Sequence, residues 1–514
     1  MSGSPPVLFG PDNRPLASTA VRPYGHHDVA RMAAGFRGHT FSNWIVNRTT
    51  RFEEKWGRRT LVDRAEDLVA NDPHAASSIG SIAVNTVGTG FKAQSRPNAK
   101  VLGWNEDQTK AFQEQAEWTW HIFQQESDAA GRLTFSQDCF VAIQTLLTCG
   151  EFFRVPVMIK RPGKVFSLAL QAVHPLRFYT PSDLTQRTDI REGIEFGRFG
   201  MPRAYWAADP IDGCIDNDLP SGAFTRVPAV SGHRPGCFHN FVARTEEQMR
   251  GVSVLAPGMK FFRDLNDYLD FELIGAIVAA QFPVFIETHD PHETADTIPG
   301  GTREENARSR YNEVEPGSIY YGNINERPHI LKSERPANSF DAFVERNLRA
   351  IGASIGMPYE VVSKDFSKVN YSSARAALLE AWRVFGLYQR WMVDGYCQPV
   401  WGMALEEAWL RGMIKLPKSA PDFYDATHAY VRANWIPPRK GHVDPLKEIM
   451  AYIKAKNENL GTAAVIAAEL FGEDWEAIYE QRAREKAMER ELDILPGNEK
   501  KPAATVKEPA HATE

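Results

Sequence analysis

At Glu151 the rhythm of the chain changes, and that change rules out both an all-helical and an all-strand fold. Before it, apolar residues recur at steps of three and four, the spacing that lines one face of a helix. Leu61–Val87 reads as helix on Leu61, Ala65, Leu68, Val69, Ile79, Ile82 and Val87, with Asp63, Asp67 and Asp72 interrupting the stripe. Pro73 is expected to split it in two, because proline lacks an amide donor and its ring crowds the preceding turn. Gly88-Thr-Gly90 suits a stop, since glycine follows helix ends without steric cost. Glu106–Gln125 and Ser136–Thr148 follow as helices, the first with Phe112, Ala116, Trp120 and Phe123 on one side. From Glu151 to about Val242, short runs such as Phe152-Phe-Arg-Val-Pro-Val-Met and Phe166-Ser-Leu-Ala-Leu-Gln-Ala-Val are divided by Gly and Pro. That is the pattern of strands and turns, and Arg191–Trp206 reads as a hairpin turning near Gly200.

Helical spacing then returns. Phe262, Leu265, Leu269, Leu273 and Ala276 place Ala256–Gln281 on one long helix, with Pro257 in its first turn and Pro283 as its stop. Residues 283–338 are turn-rich and acidic, and Glu315-Pro-Gly-Ser-Ile-Tyr-Tyr-Gly contains a Pro-Gly turn feeding a short strand. Phe340–Ile355 is the next helix, capped by Asn338 or Ser339, with Asp341 favourably placed against the helix dipole. Gly356-Met-Pro358 ends it, and Tyr359–Tyr371 reads as a loop. Ser372 or Ser373 is expected to cap a helix running to about Leu410, kinked near Pro399. Residues 443–492 are largely helical, and the tail after Pro496 is too poor in apolar groups to fold. The fold class is therefore α+β.

Bulk properties narrow the function. The 514 residues are 43% hydrophobic and 24% charged, enough for several packed units. A formal net charge of -6 does not suit a protein that grips nucleic acid along its whole surface. The exception is local: Arg31, Arg37, Arg48, Arg51, Arg58 and Arg59 make residues 1–60 a basic arm, suited to draping over a neighbour or touching DNA. Five scattered cysteines imply no disulfide framework, and the absence of any run of about 18 apolar residues argues against a membrane partner. The first residues also lack a secretory signal.

Motifs for chemistry are scarce. No Gly-x-x-x-x-Gly-Lys-Ser/Thr loop, His-Glu-x-x-His pair, Cys-x-x-Cys pair or Gly-x-Ser-x-Gly elbow occurs. His289, Asp290, His292 and Glu293 have metal-binding side chains, but no second cluster of matching spacing completes a site. Cys237 and His239, with Cys214 and His233, read as structural residues. No catalytic residue, metal or cofactor is expected. A metal-dependent hydrolase or nuclease built on His289–Glu293 is the enzymatic alternative, and an oligomeric scaffold without a channel is the other.

Several separated motifs then agree in one order. Arg250-Gly-Val-Ser-Val-Leu-Ala-Pro257 precedes the long helix, and Ala353–Arg383 holds Asn370-Tyr-Ser-Ser-Ala-Arg375. Upstream stand Asn85-Thr-Val-Gly-Thr-Gly-Phe, Gly150-Glu151-Phe-Phe and Glu192-Gly-Ile-Glu195-Phe-Gly-Arg. Over roughly residues 60–415 this set resembles the lambda family of tailed-phage portal proteins.

The resemblance implies a portal-protein fold with a mixed helix/strand wing, a two-helix stem, a small α/β clip, a long kinked helix and a helical crown. Carried onto this sequence, it gives an arm at 1–60, wing at 61–255, first stem helix at 256–282 and clip at 283–338. The second stem helix is then 339–358, the channel loop 359–371, the kinked helix and wing return 372–440, the crown 441–495 and the tail 496–514. It also implies a homo-oligomeric ring, usually of twelve subunits, at one capsid vertex of the virion, assembled in the host cytoplasm. Double-stranded DNA would pass through it during packaging and ejection. Terminase large subunit, major capsid protein and a head–tail connector would be its partners, and the terminase would supply ATP hydrolysis. Lys364, Lys368 and Asn370 become candidate DNA-channel residues, and Tyr371, Ser372, Ser373 and Arg375 the anchor at the loop's base. Trp382, Trp391, Trp401 and Trp409 suit either a subunit contact or the core.

Overall fold

The computed structural model describes residues 50–209, 223–246, 248–280, 284–287, 327–330, 340–438, 441 and 445–491. The arm before residue 50, the Pro283 stop, the His289–Glu293 cluster, the Glu315 turn, the Asn338 or Ser339 cap, Cys214 and the tail after Pro496 lie outside the described residues.

Two helices open the described chain, α1 (Thr50–Asn71) and α2 (Pro73–Thr86). They divide where Pro73 requires it, and Asp72 is the cap: its side chain accepts the Ala75 amide. The other Asp72 oxygen accepts Asn266 Nδ2 at 2.8 Å, so the residue that seemed to interrupt an apolar stripe joins two distant helices. The segment expected as an arm to residue 60 is corrected at its end, because α1 begins at Thr50 and Arg58 is buried. After β1 (Lys92–Ser95) and the single turn α3 (Ala99–Leu102) come α4 (Glu106–Glu126) and α5 (Phe135–Cys149). Both long helices start with reciprocal caps, Asn105 with Gln108 and Thr134 with Gln137, which satisfy amides that no helical carbonyl can reach.

The middle of the chain is strand-built, as its rhythm requires. β2 (Glu151–Met158) pairs antiparallel with β3 (Leu168–Val173) on one side and β10 (Phe238–Phe241) on the other. A second sheet runs β4 (Ile190–Arg191), β5 (Ile194–Phe196), β6 (Pro202–Ala208), β7 (Phe224–Pro228), all antiparallel. The expected hairpin turns at Arg198–Gly200, and β8 (Val230–Ser231) and β9 (Arg234–Pro235) make a small hairpin beyond it.

A short turn at Ala256–Gly258 leads into α6 (Met259–Ala280). The short strands β11 (Val284–Glu287) and β12 (Arg327–Ile330) pair antiparallel. α7 (Phe340–Ile355) then runs back along α6, with the Tyr268 ring 4.6 Å from that of Phe343. The expected loop Tyr359–Tyr371 is shorter than its sequence suggests: Tyr359–Ser363 forms a helical turn, α8, seated by buried Val362. α9 (Tyr371–Met392) passes through a π-helical turn at Val393–Cys397 into α10 (Gln398–Leu410). The wide turn sits immediately before Pro399, where a missing amide favours an irregular ladder. After α11 (Thr427–Tyr430), β13 (Ala433–Ile436) returns to pair with β1, and α12 (Pro445–Asn457), α13 (Ala463–Phe471) and α14 (Trp475–Glu491) follow.

One aromatic core holds these parts together. Trp120 meets Phe135 and Trp401 edge-on at 5.0 and 5.3 Å, a favoured geometry for ring quadrupoles. Tyr396, from the π-helical turn, packs on Phe135, Phe152 and Phe238. Trp401 is fully buried and belongs to this core, whereas Trp391 remains partly exposed.

Candidate functional site

The sequence block that opens at Arg250 is decided by one buried carboxylate. Gly150 ends α5 in the left-handed conformation, φ 90°, and turns the chain so that Glu151 points inward. Glu151 is fully buried and accepts from Arg58 Nη1 at 2.5 Å, Arg250 Nη2 at 2.6 Å, His239 Nε2 at 2.9 Å and the Gly251 amide at 2.9 Å. Burial alone would raise this carboxyl, but Arg250, Arg58 and His239 outweigh it and hold it well below the usual range. Burial pushes the His239 imidazole the other way, downward, so it serves Glu151 as a neutral N–H donor. The remaining Arg250 donors reach the carbonyls of Phe178, Glu192 and Pro175. Glycine at 251 has its own reason. A Cβ there would stand 2.0 Å from the Gly150 carbonyl oxygen, so the two backbones approach only because neither residue has a side chain. Arg250-Gly251 thus fastens the segment leading into α6 to the end of α5, the first residue of β2 and, through Glu151 and Arg58, to α1.

The second block lies at the far end of α7. Gly356 adopts φ 74° and stops that helix, α8 follows, and Lys364 takes a left-handed φ of 58° as it closes. The exposed loop is therefore 364–370. Asp365 accepts the Ser367 amide at 2.9 Å, which shapes its tip. Lys368 Nζ reaches Glu345 Oε2 on α7 at 3.2 Å, and Arg349 reaches the other oxygen at 2.6 Å. Arg349 and Lys368 together hold the Glu345 carboxyl below the usual range.

Asn370 caps α9: its side chain accepts the Ser373 amide at 2.8 Å. The expected caps Ser372 and Ser373 are corrected to first-turn residues. Asparagine one step earlier has the extended backbone, φ -81° and ψ 167°, that a cap needs. Lys364, Lys368, Asn370, Tyr371, Ser372, Ser373 and Arg375 are all exposed. The structure therefore brings the two lysines and the cap onto one short loop.

The matching family model is that of the phage portal protein, lambda family, and it covers residues 38–389, which include both blocks. This chain belongs to the lambda family of phage portal proteins. It is 26% identical to the portal protein of Escherichia phage N15 and 26% identical to portal protein B of Escherichia phage lambda. Each alignment covers 96% of this chain and 94% of the relative. Among solved structures, a chain from the virion of the native gene transfer agent particle matches with TM-score 0.45 and 14% identity, covering 80% of this chain and 92% of that one. A chain from the neck of the native particle matches with TM-score 0.46 and 12% identity, covering 80% and 93%.

Among the described residues, His233, Cys237 and His239 do not form one site. His239 serves Glu151, while His233 donates to Glu406 at 2.6 Å beside Arg234 and Tyr424. Cys237 is buried, and its burial pushes its thiol up. A different trio does converge: Glu66, Cys149 and His174. No local spacing announces it, since His174 stands 108 residues from Glu66.

Proposed function

We propose that this portal protein forms a ring, twelve copies by the family's usual number, whose channel carries double-stranded DNA through one capsid vertex of the virion. α6 and α7 are its two stem helices, residues 283–338 its clip, and α12 to α14 its crown. The loop at residues 364–370 faces the channel, and β1 to β10 and β13 with α1 to α5 are its wing. The observation that carries this reading is the antiparallel pair α6 and α7 leading, through α8, into an exposed loop capped by Asn370.

Electrostatics support the same reading. Each standing contact to phosphate adds affinity by releasing counterions, so a continuous basic lining would brake sliding DNA. A chain of net charge -6 avoids that brake. Lys368, already paired with Glu345, exchanges one anionic partner for another as phosphates pass, and Lys364, exposed at the other end of the loop, meets them in turn. The protein's part is structural. Terminase large subunit drives packaging on this ring, and the major capsid protein and a head–tail connector hold it in the particle, which assembles in the host cytoplasm.

Imaging the purified full chain tests the ring: closed rings with a hole wide enough for duplex DNA are expected, and a stable monomer overturns it. Replacing Lys364 and Lys368 together by Ala should leave rings intact and change DNA packaging or retention. Normal packaging with normal retention would remove both lysines from the channel role.

A further inference from the structure

Glu66, Cys149 and His174 come from three separate elements and present one ligand atom each to a common point. Glu66 lies on α1, Cys149 is the last residue of α5, and His174 directly follows β3. His174 Nε2 lies 2.8 Å from Glu66 Oε1, Cys149 Sγ lies 3.4 Å from the same oxygen, and Sγ lies 3.9 Å from Nε2. A triangle with those edges has a circumscribed circle of radius about 2.0 Å. A point just above its plane is therefore about 2.0–2.3 Å from all three atoms, the range of zinc bonds to nitrogen, oxygen and thiolate sulfur.

We propose that these three side chains bind a divalent ion of the zinc class, with the fourth position taken by water. The donor set selects the metal. One sulfur, one imidazole and one carboxylate suit a borderline ion such as Zn2+, whereas Mg2+ and Ca2+ want oxygen alone.

The frame around the trio is rigid without any ion. Cys149 is fixed by the Gly150 turn and its contact with Gly251. His174 precedes Pro175, whose carbonyl receives both Arg58 and Arg250. Glu66 stands two helical turns beyond Arg58, so the same face of α1 carries both residues toward the junction of α5 and β2. Access is open: the side chains of His174 and Glu66 are 31% and 42% exposed, while Cys149 is buried behind them.

Without an ion, Glu66 accepts the Cys149 thiol and the His174 Nε2–H. Binding replaces both bonds. Cys149 gives up its proton and coordinates as thiolate. The His174 ring proton moves through solvent from Nε2 to Nδ1, which surrenders its long 3.3 Å bond from the Leu176 amide. One proton leaves per ion bound. The bound ion then ties α1 to the ends of α5 and β3 beside the Arg58–Glu151 pair and stabilises the fold by mass action. None of this depends on the ring reading.

The test uses the full chain carrying Cys214→Ser, titrated with Co2+ as an optical probe for Zn2+. One Co2+ per chain is expected, with a thiolate-to-cobalt charge-transfer band in the near ultraviolet, release by Zn2+, and a melting temperature raised by Zn2+. Cys149→Ser should lose the band. Glu66→Gln and His174→Gln, both half-exposed and tolerant of change, should weaken binding by at least about tenfold. No stoichiometric binding in the Cys214→Ser chain means that the trio is a hydrogen-bonded cluster only and overturns the proposal. So does a band that persists in Cys149→Ser. Should that variant fail to fold, unchanged Co2+ affinity in the two half-exposed variants overturns it equally.

Discussion

The surroundings of Arg250 and of Asn370 use the same chemistry and arrive at opposite states. Around Arg250, two guanidiniums, a carboxylate and an imidazole are taken out of water, and each Arg250 nitrogen finds a carboxylate or a carbonyl within the chain. Around Asn370, Lys364 and Lys368 stay exposed, and Lys368 pairs with Glu345 at the surface. A buried charge is tolerable only when its partners are complete, so the first region is committed to one arrangement. The second can exchange partners at little cost. The difference separates what holds the subunit together from what stays exposed and open to exchange.

The sharpest break in that comparison is Arg250→Ala. It leaves Glu151 buried with one guanidinium fewer, and removing one member of a buried pair costs about 3–5 kcal/mol. Arg250→Lys should recover only part, because an ammonium cannot span a carboxylate and three carbonyls as the planar fork does. Denaturant unfolding of the full chain measures both. A loss below about 1 kcal/mol in the alanine variant would show that Arg58 and His239 suffice for Glu151.

The exposed end of α6 comes next. Phe271, Leu273, Ile274 and Ile277 are 67%, 61%, 55% and 48% exposed in the single subunit. A helix segment that is apolar around its circumference belongs in an interior, and α7 covers only one side of it. In the ring proposed above, the next copy would cover the rest. Phe271→Asp with Ile274→Asp should abolish rings while the isolated subunit melts as before. Intact rings in that variant would place the subunit contact elsewhere.

Much of this was legible in the sequence. Pro73, Gly88, Gly356 and Pro399 punctuate helices where expected, because proline and glycine act through the local backbone. The change to strands at Glu151 was equally readable from periodicity. What could not be read were partnerships across long separations. Arg58 looked like one more arginine of a basic arm, yet its partner Glu151 lies 93 residues on. The cap at Asn370 is hidden for a nearer reason: Asn370, Ser372 and Ser373 are all good caps, and only the extended backbone at 370 decides among them. The loop reads longer in the sequence than it is, because Tyr359–Ser363 is too short for periodicity to register, although buried Val362 fixes it.

Glu406 tests an intermediate case, a carboxylate at the edge of the core held by side chains that are partly wet. Burial alone would raise it, but Arg234, His233 and Tyr424 outweigh burial and keep it below its ordinary value of 4.5. A depressed folded-state value means the stabilisation is present above that ordinary value and is lost as pH falls through the folded value. Glu406→Gln should therefore be less stable than the parent near neutrality and converge with it in acid. Melting curves between neutral pH and the acid limb check this. A constant gap at all pH values would mean that packing, not charge, is what Glu406 supplies.

The smallest expected effect belongs to Asn370, and it is also the most selective. Asn370→Ala removes the acceptor for the Ser373 amide at the start of α9, which costs about 1 kcal/mol. Asn370→Asp keeps the cap, since aspartate accepts the same amide and its charge suits a helix start. It also puts a negative charge on an exposed loop. If the loop faces DNA, the two variants separate: alanine lowers stability and leaves DNA retention near normal, while aspartate keeps stability and alters retention. If aspartate matches the parent in both measurements, Asn370 only caps a helix, and the contact with DNA lies at Lys364, Lys368 or beyond the loop.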